Sequence, residues 1–247
     1  SGLFSNPNYT AFWLSAIWPF SVLLLRQQKN KFIYLIFFLL ITYFALYTGS
    51  RTIFLSFITS TILLFGIKKL LYPVILFVSL LLSINFSNNI NYQFNSIIQY
   101  IIPLNLLEKL QNIDLNIFPS TRLYIYSQAI KYLSVSPIFG LGSSSFPSLF
   151  EPLKKDVIVQ HTHNMLLEIA FNYGFIVAIL LLIFLINIFF HSIKIVFTVN
   201  EFNTSINKAW IASSFTIIIF NTFDIVYYDG KFSIFTWLLI SGLKGII

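Results

Sequence analysis

Two arginines and two histidines stand out in a chain of 247 residues that is otherwise poor in charge. Arg51 sits in Thr48-Gly49-Ser50-Arg51, and Arg122 follows Ser120-Thr121. His161 and His163 lie in Gln160-His161-Thr162-His163-Asn164. A guanidinium is permanently charged, and its planar fork pairs with two oxygens of an oxyanion. An imidazole, with an ordinary pKa of ~6.5, exchanges protons near neutral pH. Oxyanion binding combined with proton abstraction is therefore the chemistry this set supports. Asp224, Tyr227, Tyr228, Asp229 and Lys231 form a later polar cluster. Each residue also has a plainer role. Arg51 suits an interfacial anchor, Arg122 a solvated charge, and His163 a polar cap before an apolar run. The His-Thr-His pair suits a metal if Asp156, Glu168, Asp224 or Asp229 joins it. Two histidines at that spacing are a weak signal, so no metal is expected. Gly140-Leu141-Gly142 lacks the Gly-Lys-Ser/Thr ending of a nucleotide-binding loop.

The elements that must position these residues are set by composition. Hydrophobic residues make up 57% of the chain and charged ones 9%, against ~25% charged in a typical soluble domain. Mean hydropathy is +0.83. A water-soluble globule of this size could not cover its surface with so few charges. There is no cysteine, which excludes disulfides, thiol nucleophiles and thiolate metal sites. The net charge of +7 is not a nucleic-acid signal, because the basic residues sit between apolar runs. A spanning helix needs ~20 mostly apolar residues. Seven such runs are read, at about 9–25, 32–48, 52–67, 70–86, 164–190, 209–226 and 232–247. The fifth is long enough to begin outside the bilayer. The predicted class is all-α: a polytopic transmembrane helical bundle with one large external loop that carries short amphipathic helices.

The loops predict an orientation. Arg26, Lys29 and Lys31 lie between the first two spans, and Lys68 and Lys69 between the third and fourth. Lys194 and Lys208 flank the connection after the fifth, and Lys244 sits near the end. The alternate short connections hold only Arg51 and Lys231. The positive-inside rule places the first set in the cytoplasm. The chain then divides into four helices (1–86), an external loop (87–163) and three helices (164–247). Within the loop, one helix is expected over about 96–111, kinked or broken at Pro103. A second is expected from a cap at Ser120 or Thr121 to about Ser134, with Leu123, Tyr126, Ile130 and Leu133 on one face. Ser136-Pro137 stops it. The chain opens on Ser1 with no basic region before the first apolar run, so no signal peptide is expected, and the segment reads as the C-terminal part of a longer protein.

Four features, taken in order, resemble the O-antigen ligase and polymerase superfamily of bacterial inner membranes. Gly2-Leu3-Phe4-Ser5-Asn6-Pro7-Asn8 is similar to a Gly-x-Phe-x-Asn-Pro-Asn segment that opens a span. Gly49-Ser50-Arg51 resembles the Ser-Arg at an outer helix boundary. Arg122 followed by Pro137, Gly140 and Gly142 resembles the Arg…Pro-x-x-Gly-x-Gly stretch of the large periplasmic loop. His163-Asn164, nine residues and then Gly174 resemble the His-[Asn/Ser/Gln]-x9-Gly-x-x-[Gly/Thr/Tyr] signature. Val177 stands at the last position of that signature, so ligase and polymerase both stay open.

The resemblance implies glycan transfer at the outer face of the cytoplasmic membrane, with the active residues on the periplasmic side. The donor would be a glycan on a polyprenyl diphosphate; the acceptor would be lipid A–core, another glycan or a protein. Neither cofactor nor metal is implied, and membrane lipid is the expected surroundings. Arg51 and Arg122 would hold the diphosphate, and His163 would activate the acceptor hydroxyl. His161, Asn164, Gly140 and Gly142 would contact substrate, with Asn164 and Glu168 orienting the histidine. The alternative is a membrane carrier of a small anion such as bicarbonate. Carriers place ionisable groups at mid-bilayer depth, whereas these charges cluster at span ends.

Overall fold

The computed structural model describes residues 6–66, 122–150, 159–199 and 204–247. Among them, α-helices run over Pro7–Gln27 (α1), Lys31–Tyr47 (α2), Thr52–Phe65 (α3), Arg122–Leu133 (α4), Ser145–Phe150 (α5), Met165–Tyr173 (α6), Phe175–Thr198 (α7), Ser205–Phe223 (α8) and Gly230–Ile246 (α9). A 3-10 turn, Val226–Tyr228, joins α8 to α9. No strand occurs among the described residues, so the class is all-α. The expected span at 70–86, the expected helix at 96–111 and the caps at Ser120 or Thr121 lie outside the described residues.

Among the described residues two helices, α1 and α7, are long and apolar enough to cross a bilayer. At 1.5 Å per residue they reach about 32 and 36 Å. α2 and α3 are apolar but shorter, at 17 and 14 residues. α2 and α7 turn apolar side chains outward: Phe32, Ile33, Phe44, Leu180, Ile186 and Phe190 are all exposed. A soluble monomer rarely leaves patches of that kind uncovered.

α8 sits at the centre, with α1 and α3 against one side and α7 and α9 against the other. More than half of its residues are buried, and it is apolar around most of its circumference, as a helix enclosed by others must be. Small and hydroxylated residues let its neighbours approach. Ser213 donates to Ala16 O at 2.7 Å, and the hydroxyls of Ser56 and Thr216 meet at 3.1 Å. Gly242 on α9 passes the Trp210 ring so closely that a Cβ would stand 2.2 Å from it. Such pairs are the usual contacts between helices that have no water to expel.

A second core forms beside the bundle. Ile125, Ala129 and Leu133 of α4, Phe146 and Phe150 of α5, and Ala170 and Phe171 of α6 bury one another. This corrects the expected face of α4. Leu133 is buried, but Leu123 and Ile130 are 64% and 57% exposed. The helix is apolar on more than one side, and the side bearing Ala129 fits most closely against the phenylalanines of α5 and α6.

The run expected to cross the membrane over 164–190 is two helices. Gly174 caps α6 and stands N-terminal to α7 with φ 91. The Pro137–Gly142 loop wedges into that break. Phe175 N donates to Pro137 O at 2.8 Å, Leu141 N to Phe171 O at 2.8 Å, and Gly142 N to Asn172 O at 3.1 Å. A Cβ at Gly174 would lie 1.8 Å from Ile138 O. Both the left-handed backbone and the contact exclude a side chain here. Gly174→Ala is therefore expected to lower the unfolding free energy by about 2–4 kcal/mol. Gly245→Ala, where a Cβ meets nothing within 4 Å, should leave it nearly unchanged. Thermal unfolding of the two detergent-solubilised variants, compared with the parent, checks this; equal midpoints would show that the loop does not hold the break.

Candidate functional site

The site begins with how α6 starts. Asn164 is its N-cap, and its Oδ1 accepts from Leu167 N at 3.0 Å. The Asn164 amide donates to Thr222 O at 3.0 Å, which ties the start of α6 to the end of α8. His163, just before the cap, has φ 57, a left-handed conformation unusual for a residue with a side chain. That turn brings the two rings together, with centroids 4.3 Å apart.

Asp224 ends α8 and receives the histidines. His163 Nδ1 lies 3.1 Å from its Oδ1, and His161 Nε2 lies 3.8 Å from the same oxygen. Asn8 Nδ2 donates to Oδ2 at 2.7 Å, and Ile225 N donates to Oδ1 at 2.9 Å. Burial pushes the Asp224 carboxyl up, but hydrogen bonds from His163, Asn8 and Ile225 overcome it and bring the pKa down to about 2. An ionised carboxylate accepts at every lone pair, so His163 Nδ1 carries the proton it shares with Asp224. His163 Nε2 is then the basic lone pair.

His161 is held differently. The backbone N–H of His163 donates to His161 Nδ1 at 3.2 Å, so that nitrogen is the acceptor and Nε2 bears the proton. Burial, and then the neighbouring His163 ring, lower the His161 pKa, so its neutral form is favoured.

Beneath the loop lies a buried carboxylate. Glu168 is 1% exposed. Its Oε2 accepts from Thr162 N at 2.8 Å; its Oε1 accepts from Tyr228 OH at 2.6 Å and Asn172 Nδ2 at 3.3 Å. Burial, and then that hydrogen bond to Glu168, push the Tyr228 phenol well above its ordinary range, so it remains a donor. Glu168 thus positions the backbone between the histidines rather than a ring. Asp229 caps α9 by accepting from Lys231 N at 2.9 Å, so it too is occupied.

The arginines stand at the same end of the bundle. α3 runs antiparallel to α8: Leu64 and Phe65 at the foot of α3 gather with Arg26, Ser205 and Lys208. The Ser56–Thr216 contact sets the register. Counting 1.5 Å per residue from it, Arg51 and Asp224 lie within about 5 Å of one level. Arg122 opens α4, and one turn along Tyr126 OH donates to His163 O at 3.4 Å. Neither guanidinium forms an ion pair among the described residues, and both residues are exposed. Gly140 and Gly142, by contrast, dock on Asn172 and Tyr173 at the far end of α6, about 13 Å along its axis from His163.

His161, His163 and Asp224 offer ligand atoms within 4.8 Å of one another, the one group of that kind among the described residues. A divalent cation there would have to displace the proton between His163 and Asp224. Of the other acidic residues weighed for such a site, Glu168 and Asp229 are engaged elsewhere, and Asp156 lies outside the described residues.

A family model described as O-antigen ligase matches residues 35–182. The chain belongs to the O-antigen ligase family. No curated protein matches it. The match covers Arg51, Arg122 and both histidines, and membership carries a glycan-transfer type of activity and a place in polysaccharide biosynthesis. Asn8 and Asp224 fall outside the matched residues. In the sequence Asn8 stands out only as part of the Asn-Pro-Asn segment, and Asp224 only as a possible metal ligand beside the histidines, not as the hydrogen-bond partner of His163.

Because the carboxyl of Asp224 titrates at about 2, below its ordinary 3.8, it stabilises this O-antigen ligase family fold above pH ~4. That stabilisation, roughly 2 kcal/mol, is lost as pH falls from ~4 to ~2. The lowered pKa of His161 acts earlier, as the unfolded chain protonates below 6.5. Unfolding midpoints against pH should therefore fall in both ranges for the parent. Asp224→Asn should lack the fall between ~4 and ~2; an unchanged curve would show that the carboxylate is not held ionised by these donors.

Proposed function

We propose that this protein transfers a glycan from a polyprenyl diphosphate donor to an acceptor hydroxyl at the outer face of the bacterial cytoplasmic membrane. One observation carries the reading: His163, its Nδ1 engaged by the buried Asp224 carboxylate, presents its Nε2 lone pair at the end of the bundle where two arginines lie that form no ion pair among the described residues. The family match supports the reaction class. The exposed apolar faces of α2 and α7 support a multi-pass bundle in lipid. Basic residues at the opposite end, Arg26 and Lys208 among them, support a cytoplasmic end there and a periplasmic site.

In this mechanism the acceptor hydroxyl gives its proton to His163 Nε2 as its oxygen attacks the anomeric carbon of the donor sugar. The bond from that carbon to the diphosphate oxygen breaks, and its electron pair leaves with the diphosphate. Arg51 and Arg122 hold the charge that develops there; guanidinium–phosphate pairs are strong and directional. Asp224 fixes the tautomer and aim of the imidazole, as a carboxylate does in other base–carboxylate pairs. Asn8 and Asn164 hold that arrangement in place.

Complementation of a deletion strain, read by gel laddering of surface glycan, tests the assignment. His163→Ala should lower transfer by ~10²–10⁴-fold. Arg51→Ala and Arg122→Ala should abolish the ladder, with partial rescue by lysine because the charge stays but the fork is lost. Asp224→Asn should fall between the parent and His163→Ala. Parental ladders from the histidine and both arginine variants would reject the reading.

A further inference from the structure

The turn that wedges into the break between α6 and α7 carries an apolar tip. Among the described residues no large apolar side chain is more exposed than Phe139, at 82%, and Val135, at 77%; Ile138, between them, is 55% exposed. The backbone beneath is fixed. Gly140 N donates to Ser136 O at 2.9 Å, and the bonds to Phe175 N and from Leu141 N clamp the turn on both sides of Gly174. The three side chains therefore stand out from a built turn rather than a frayed end. A water-facing surface rarely keeps such a cluster uncovered.

The tip is continuous with the apolar outer face of α7. Pro137 O is bonded to Phe175 N, and Phe175, Ile176, Ile179 and Leu180 of the helix that follows are exposed. A docked protein would have to cover the tip while lipid covered the face of α7 beside it, whereas one bilayer covers both. The depth agrees. α7 and α9 both run away from the site end of the bundle, and Ser192 Oγ donates to Leu243 O at 3.2 Å. Counting back from that contact, α7 begins four residues, or about 6 Å, beyond the start of α9. α7 is also longer than the ~30 Å of hydrocarbon in a bilayer, so its first turn and the tip reach the headgroup boundary. The charge agrees too. Residues 122–150 hold two cations, Arg122 and Lys131, and no acid. Lys131 is exposed one turn before Val135, and the half-exposed rings of Tyr173 and Phe175 flank Gly174. Cations near lipid phosphates and aromatic rings at headgroup level mark an interfacial segment.

Resting on the multi-pass reading above, we propose that Val135, Ile138 and Phe139 insert into the outer leaflet of the bilayer that α7 spans. The turn is then an anchor. It holds Gly174 at the membrane surface, and through the nine residues of α6 it holds His163 at a fixed height. Height matters to an enzyme whose donor stays embedded in the same bilayer, because small displacements of a reacting group are costly.

The test uses the full-length protein, freed of cysteines, in phosphatidylethanolamine–phosphatidylglycerol nanodiscs; residues 1–247 contain none. A nitroxide is attached at Phe139→Cys and, as reference, at Ile183→Cys on the exposed face of α7. Molecular oxygen, which partitions into lipid, should relax both labels more than a water-soluble nickel chelate does, with position 139 nearer the surface than 183. Lipid exposure at 183 with chelate exposure at 139 would put the tip in water and overturn the proposal. An immobilised label at 139, closed to both reagents, would mean that another segment or a second copy covers the tip, and would overturn it as well. Chelate exposure at both positions would reject the bilayer reading on which the proposal rests. Phe139→Asp should lower glycan transfer in nanodiscs by about tenfold, and Phe139→Trp, a residue suited to the interface, should keep it. Both variants should retain the parent's thermal midpoint in detergent, because the side chain is exposed. Parental transfer by Phe139→Asp would overturn the anchor. A parent that transfers no glycan would reject the transferase reading, and the two labels would still decide the insertion.

Discussion

The length of α6 constrains the rest of the site. Nine residues separate a side-chain cap at Asn164 from a chain break at Gly174. Each end is held by a different part of the protein. At the first, Asn164 is bonded to the end of α8. At the second, the Pro137–Gly142 loop supplies three backbone hydrogen bonds and leaves no room for a side chain. Adding or removing one residue would rotate one end by ~100° against the other. Either the histidines would leave Asp224, or the loop would lose its seat. A cap is worth about 1 kcal/mol, so what this helix secures is chiefly register rather than stability.

The second constraint is electrostatic. Two carboxylates, Asp224 and Glu168, are buried with no arginine or lysine in an ion pair with them among the described residues. A buried charge is tolerable only if its lone pairs are filled. Asp224 collects donors from α1, from the loop before α6 and from the backbone after α8. Glu168 collects them from the same loop, from α6 itself and from the 3-10 turn. Asp224 thereby ties together three segments distant in sequence, and Glu168 ties residues 162–172 to the 3-10 turn. The left-handed His163, a conformation that costs of order 1–3 kcal/mol, persists because this network closes around it.

Much of this was legible beforehand, and the exceptions follow a pattern. Local features read well. The Asn-Pro-Asn segment opens α1, with Asn6 as cap and Pro7 in the first turn. His163-Asn164 does precede a helix, with Asn164 as its cap. What failed to read was nonlocal geometry: Asp224 was a candidate ligand beside the histidines but not the hydrogen-bond partner of His163. His163 and Asp224 are 61 positions apart, and Asn8 and Asp224 are 216 apart; no periodicity links such residues. The break at Gly174 was hidden inside an apolar run, because hydropathy ignores the carbonyl of Ile138 that makes glycine obligatory there. The face of α4 was misjudged because several faces were apolar and only the neighbouring phenylalanines choose between them.

The two histidines look equivalent in the sequence, and the backbone makes them unequal. One amide N–H, that of His163, occupies Nδ1 of His161. This fixes the His161 tautomer with its proton on Nε2, facing a carboxylate oxygen at a distance too long for a good hydrogen bond. His163 has the reverse tautomer, with Nδ1 spent on Asp224 and Nε2 basic. A base needs a lone pair aimed at the reacting proton, and only one of the two rings keeps one. His161 instead presents an N–H, a donor suited to an oxyanion. The loop therefore places a proton acceptor and a proton donor side by side. That is the pairing needed when a hydroxyl loses its proton and a phosphate oxygen gains charge in the same step.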